Sequence, residues 1–179
     1  MTDNVYIAGI DIGLTGGFFI VDAKGNYVYS CEMPIVKIKK GSGYKREVDV
    51  DAIKELFTHR LYACGIVYME KSRPFMKFSK GVRMSNPQAN FSLGRVLGIL
   101  EGMLQYSDIP YELIDAKVWQ KTFGIASSKG DTKKQAYVIA SRMFSGDIFK
   151  TERGRIMDGV SDAALIAEYG RRKSQGGVV

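Results

Sequence analysis

The stretch NVYIAGIDIGLTGGFFIVDAKGNYVYSCEMP, residues 4–34, decides the fold. NVYIAGIDIG is apolar and β-branched and stops at Gly13, which predicts a buried strand. GGFFIVDAKGNYVYSCEMP predicts two more strands, joined by a tight turn at Lys24-Gly25-Asn26. Strands joined this closely run antiparallel.

Downstream the period changes. KIKKGSGYKREVDV (37–50) is a charged, Gly-containing excursion, expected as an exposed loop or hairpin end. In DVDAIKELFTHRLY (49–62), Val50, Ile53, Leu56, Phe57 and Leu61 recur near helical spacing, with Asp49 or Asp51 near the start. CGIVYME (64–70) predicts a short strand ending in Glu70, and residues 71–86 a loop. A proline opens the helix PQANFSLGRVLGILEGMLQY (87–106), and PYELIDA (110–116) is another strand. Asp131-Thr132 begins a further helix, where Thr132 and Gln135 fit a capping box. The last helix spans 158–172. The order, three strands and then strands linked through helices, predicts a mixed sheet with helices packed on it. One layered α/β domain is expected over residues 1–173, with a flexible tail over 174–179.

With 179 residues, 45% of them hydrophobic, the chain can bury a sizeable core. No apolar run is long enough for a bilayer, and the N-terminus lacks the pattern of a secretory leader. Cys31 and Cys64 fit no metal spacing, so a reducing, cytoplasmic setting is expected. The net charge of +7 is unevenly placed. Residues 1–70 carry 8 basic and 9 acidic side chains, whereas residues 116–179 carry 12 and 6. A basic surface of this kind suits a polyanion such as nucleic acid.

Four carboxylates stand at element ends. Asp11 and Glu70 close strands, and Asp158 and Asp162 open the last helix on one face, a turn apart. Each has a plain structural use as a strand stop, a helix cap or a complement to the helix dipole. Gathered at one sheet edge, they would repel unless a cation were present. Hard oxygen donors suit Mg²⁺ or Mn²⁺, and paired ions serve phosphodiester cleavage.

IAGIDIGLTGGFFIVD, VYMEK, LGRVLGILEGML followed by PYELIDAKVWQK, and DGVSDAALIAEYGRR occur in this order over about residues 5–170. Together they resemble the RuvC-like Holliday junction resolvases, and the phage-encoded members in particular. The resemblance implies an RNase H-like fold: a mixed five-stranded sheet flanked by helices in a single domain. It implies a homodimer that uses Mg²⁺ to nick two strands of a four-way DNA junction symmetrically, leaving a 5′-phosphate and a 3′-hydroxyl. It implies Asp11, Glu70 and Asp162 as metal ligands, with Asp158 as the fourth acid and two Mg²⁺ per site, Mn²⁺ substituting. Bacterial RuvC proteins commonly place that fourth acid three residues before the last aspartate. Here Gly159 stands in that position and the acid is four before, as in yeast mitochondrial resolvases.

The segment KSRPFMKFSKGVR (71–83) carries Lys71, Arg73, Lys77, Lys80 and Arg83 without an acid, interleaved with Phe75 and Phe78. Cations there can meet phosphates, and an aromatic can wedge at an opened base step, as family members similarly do just beyond this glutamate. Phe75 is the first choice and Phe78 the second. SSKGDTKKQAY adds Lys129, Lys133 and Lys134 around a helix start. The expected partner is branched DNA, with no membrane and no small-molecule cofactor, in a bacterial or phage-infected cell. Trp119 reads as core and His59 as non-catalytic. Gly94, Gly98 and Gly102 mark a helix face that fits either a dimer contact or packing on the sheet. Two further readings remain open. DIGLTGGFFIVD also resembles the phosphate loop of sugar-kinase and actin-like ATP-binding proteins, which usually need a second such loop, and a non-catalytic branched-DNA-binding protein is the third possibility.

Overall fold

A computed structural model describes residues 6–71 and 87–177. The opening stretch forms β1 (Tyr6–Asp11), β2 (Gly17–Val21) and β3 (Tyr27–Glu32), paired antiparallel in sequence. Gly25, with φ of 88°, turns the chain between β2 and β3. The charged excursion is a hairpin of its own. β4 (Ile35–Lys40) pairs with β5 (Gly43–Val48) in a separate two-stranded sheet.

α1 (Val50–His59) starts at Asp49, whose carboxylate accepts from the Ala52 amide at 3.0 Å. β6 (Cys64–Glu70) then enters the main sheet parallel to β1, α2 (Pro87–Tyr106) crosses over, and β7 (Tyr111–Ile114) adds parallel to β6. The strand order is β3-β2-β1-β6-β7, a mixed five-stranded sheet. α3 (Ala116–Thr122), α4 (Thr132–Met143) and α5 (Asp158–Ser174) complete the chain.

The cap of α4 differs from the expected Thr132–Gln135 box. Asp131 holds the cap position and accepts from the Lys133 amide at 2.9 Å. That leaves Gln135 one residue too far into the helix to close a box, and its amide turns back to the Ala126 and Gly130 carbonyls. The boundary expected at residue 173 falls inside α5, which runs through Ser174. Ser174 lies 3.1 Å from the Tyr68 hydroxyl, and Gln175 donates to the Ala23 carbonyl.

Alternation along the central strands sorts the core into two layers. Ala8, Ile10, Phe18, Ile20, Val67 and Met69 pack toward α1 and α2. Ile7, Phe19, Val21 and Tyr68 pack toward α5, which is itself enclosed by α3, α4 and Phe149. α5 is therefore buried on nearly every side from Gly159 to Gly170.

Candidate active site

Asp11 and Glu70 occupy the carboxyl ends of neighbouring parallel strands, one residue beyond the Ile10–Met69 pair. Asp11 shares a strand face with Ile7 and Gly9, and Glu70 shares one with Ile66 and Tyr68. Both are on the α5 side. α5 lies almost in backbone contact with that face. A Cβ on Gly9 would fall 2.2 Å from the Ala163 carbonyl oxygen and 2.3 Å from the Ala167 nitrogen. A Cβ on Gly159 would fall 2.2 Å from the Thr15 carbonyl oxygen. These two approaches bracket Asp162 and set it against the end of β1.

The Gly159 contact also accounts for the spacing of the fourth acid. No side chain fits at 159 against the Thr15-Gly16 backbone. A second carboxylate near Asp162 on this face must come from Asp158, one turn earlier. Asp158 is the first residue of α5 and does not cap it, since Met157 holds that position. It is about half exposed, with the Lys133 ammonium 3.7 Å away.

The three inner carboxyls share one field. Burial pushes Asp162 up to about 8, with the charges of Asp11 and Glu70 adding to the rise. Burial raises Glu70 to about 7, again with help from Asp11, while a hydrogen bond from Trp119 opposes the shift. Burial also raises Asp11, against the pull of the Gly13 amide and the Lys133 charge. Three acids so coupled cannot all ionise cheaply without a counter-charge. Among the described residues, no three His, Cys, Asp or Glu side chains are drawn together tightly enough to hold a metal ion. The carboxyls are linked by their charges but remain apart.

Sequence reasoning missed two features. Trp119 is 1% exposed, as expected of a core residue, yet its indole Nε1–H donates to Glu70 Oε2 at 3.0 Å. It thereby fixes one carboxylate oxygen from beneath. No spacing rule pairs residues 49 positions apart. The second is Arg155, whose guanidinium grips Glu32 through two bonds of 3.0 and 2.6 Å. With Lys133 and Asp158 it lines an open groove of about 580 Å³.

Lys71 is exposed directly after Glu70, and its amide donates to the Ile114 carbonyl. Lys133 and Lys134 are exposed on the first turn of α4, with Lys133 facing the acids. Lys129 is exposed too, and its ammonium donates to the Gly124 carbonyl at 3.2 Å. Arg73, Phe75, Lys77, Phe78, Lys80 and Arg83 lie outside the described residues. His59 sits on α1 against Glu55. Cys31 and Cys64 are free. No described helix is long and apolar enough to cross a membrane.

No family model matches the chain, and no curated protein matches its sequence. Solved structures do match. Thermus thermophilus RuvC in complex with a Holliday junction substrate aligns with a TM-score of 0.59 at 14% identity, over 96% of each chain. A second Thermus thermophilus RuvC structure aligns with a TM-score of 0.50 at 13% identity, over 96% of this chain and 97% of that one. The sheet order, the helix laid across β1 and a match over nearly the whole chain lead to one conclusion: the protein has a RuvC-like resolvase fold of the RNase H type.

Proposed function

We propose that the protein is a structure-selective DNA endonuclease that resolves four-way junctions and other branched DNA by phosphodiester hydrolysis. One observation carries the reading. Carboxyls from β1, β6 and α5 are buried at one end of the sheet, where burial first and their mutual charge second raise Glu70 to about 7 and Asp162 to about 8. Such a cluster opposes folding unless it serves a cation. The match in fold to RuvC, solved bound to a Holliday junction, supports branched DNA as the substrate class.

The donor set fits a hard divalent ion, since it offers carboxylate oxygens without thiol or imidazole. Asp11, Glu70 and Asp162 would hold Mg²⁺ or Mn²⁺, two ions per site, with Asp158 as the outer acid. Bound metal would supply Lewis-acid polarisation of the scissile phosphate and of the attacking water. The chain's own groups prepare that chemistry. Trp119 orients Glu70, the Gly9 and Gly159 contacts place Asp162, and Lys133 moderates the local negative charge. Lys71, Lys129 and Lys134 would meet phosphates, with the 73–83 segment beside the junction and Phe75 or Phe78 as the wedge. A homodimer would set two sites across one junction. Gly98 and Gly102, where an added Cβ would meet no described atom within 4 Å, would lie at its interface beside Tyr62 and Tyr106. The cytoplasm of a bacterial or phage-infected cell is the working location.

The test uses synthetic four-way junctions over a range of Mg²⁺ and Mn²⁺. Wild type is expected to give paired nicks with ligatable ends. Glu70→Gln is expected to bind the junction and cut at least about 10³-fold more slowly. Binding without cutting by wild type would overturn the nuclease reading. Retained cutting by the variant would remove Glu70 from the metal site.

A further inference from the structure

The β4–β5 hairpin is absent from the account so far, and its two faces are built differently. In the register Lys37 stands opposite Arg46 and Lys39 opposite Tyr44, so these four share one face. Lys45 and Glu47 lie on the other. There the charges are matched: Lys45 pairs with Glu47 at 2.7 Å, and Glu47 also takes Arg95 from α2. On the first face, Lys37, Lys39 and Arg46 are exposed, and no carboxylate among the described residues bridges any of them. Tyr44 is 72% exposed beside them. Directly opposed like charges weaken a strand pair. The face therefore carries repulsion that a polyanion would relieve.

The same face leads to the groove beside Asp158. Arg46 donates to the Leu14 carbonyl at 2.9 Å, three residues past Asp11. Arg46 and Ile35, which are on this face, line the groove shared with Lys133, Arg155 and Asp158. Six residues per strand carry the hairpin roughly 20 Å outward from that rim. That reach covers several successive phosphates of one duplex arm.

We propose that the Lys37–Lys39–Tyr44 face of this hairpin is a DNA-backbone clamp, which guides one arm of the substrate into the groove lined by Lys133, Arg155 and Asp158. The lysines meet phosphates and Tyr44 lies against sugar or an exposed base. This rests on the reading of the protein as a branched-DNA nuclease and adds a contact surface to it.

The test is equilibrium binding of a fluorescent four-way junction in EDTA at several salt concentrations, with cutting in Mg²⁺ measured in parallel. It compares wild type, Lys37→Gln/Lys39→Gln, Tyr44→Ser, and the charge control Lys24→Gln, which lies in the turn at the opposite end of β2. The double variant is expected to bind on the order of tenfold more weakly. Its plot of log affinity against log salt should lose about one to two units of slope, by counterion release. Its melting temperature without DNA should equal or exceed that of wild type, because a repulsion has been removed. Tyr44→Ser is expected to lose affinity at unchanged slope. If the double variant matches Lys24→Gln in affinity and slope while wild type still cuts, the clamp is overturned and the nuclease reading stands. If wild type binds without cutting and the double variant loses binding, the clamp stands and the nuclease reading falls.

Discussion

The two faces of the main sheet have opposite characters. On one, α5 lies in near-backbone contact with β1 and is roofed by α3 and α4, so almost nothing between Gly159 and Gly170 reaches solvent. On the other, α1 and α2 bury single stripes and leave between them an apolar groove of about 750 Å³, flanked by Tyr62 at 76% and Tyr106 at 92% exposure. Gly9 has no room for one more carbon, whereas a Cβ on Gly98 or Gly102 would meet no described atom within 4 Å beyond its own helix turn. The closed face holds Asp11, Glu70 and Asp162 in buried positions. The open face carries the features of a surface awaiting another molecule.

Gly9→Ala attacks the closed face directly. A methyl driven into the Ala163 carbonyl is expected to cost about 3 kcal/mol or more, since overpacking against backbone has no easy relief. Chemical denaturation would measure it. A stability equal to wild type would mean that α5 is loosely seated.

Asp162→Asn probes the charge held there. The raised carboxyl binds a proton in the folded state that it releases in the unfolded state above pH 4. Metal-free wild type should therefore lose stability as pH rises from about 4 to about 8. The variant should lack that loss. At pH 8 it should be more stable by about 2 kcal/mol, a figure kept modest because the carboxyl is partly solvated. Added Mg²⁺ should stabilise wild type and leave the variant little changed. Parallel melting curves from pH 4 to 9 decide the matter, and a variant that tracks wild type across the range would remove the strain from Asp162.

Trp119→Phe deletes one donor and keeps an aromatic ring in the core, at the cost of a small cavity. Losing a hydrogen bond to a charged group should slow junction cutting about tenfold. Glu70 would also hold its proton more tightly, so the acid limb of the rate profile should move to higher pH. An unmoved limb would reduce Trp119 to filler.

The smallest effect belongs to the open face. Gly98→Ala should raise helix stability by up to about 1 kcal/mol, because nothing stands in the way. In a dimer that uses this stripe, sedimentation should show weaker self-association despite the firmer fold. Unchanged association would move the interface elsewhere.

The contrast between the faces was only half legible in the sequence. Residues 6–32 announce three strands because alternation and turn chemistry are local. The acids were visible because charge at the end of an apolar strand breaks its pattern. What escaped depends on three-dimensional proximity. Trp119 reaches Glu70 only once β7 pairs with β6. Gly159 reads as a missing acid until the Thr15 carbonyl is seen where its side chain would go. The cap of α4 was misplaced by one residue, because Asp131 and Thr132 are both good caps and tertiary contacts to Gln135 decide between them. The charged excursion read as either an exposed loop or a hairpin end, because a hairpin in which Lys37 faces Arg46 shows little apolar alternation to decide between them.

The closed face also bears on how the protein comes into being. α5 is the central packing element for β1 and β2, yet it is synthesised after every strand it covers. Until it arrives, the sheet face carrying Ile7, Phe19 and Val21 lacks its main cover and Asp162 does not exist. A ribosome-bound or truncated chain thus lacks both a finished core and a complete acid cluster. Assembly of the carboxyl cluster and closure of this sheet face therefore become one event.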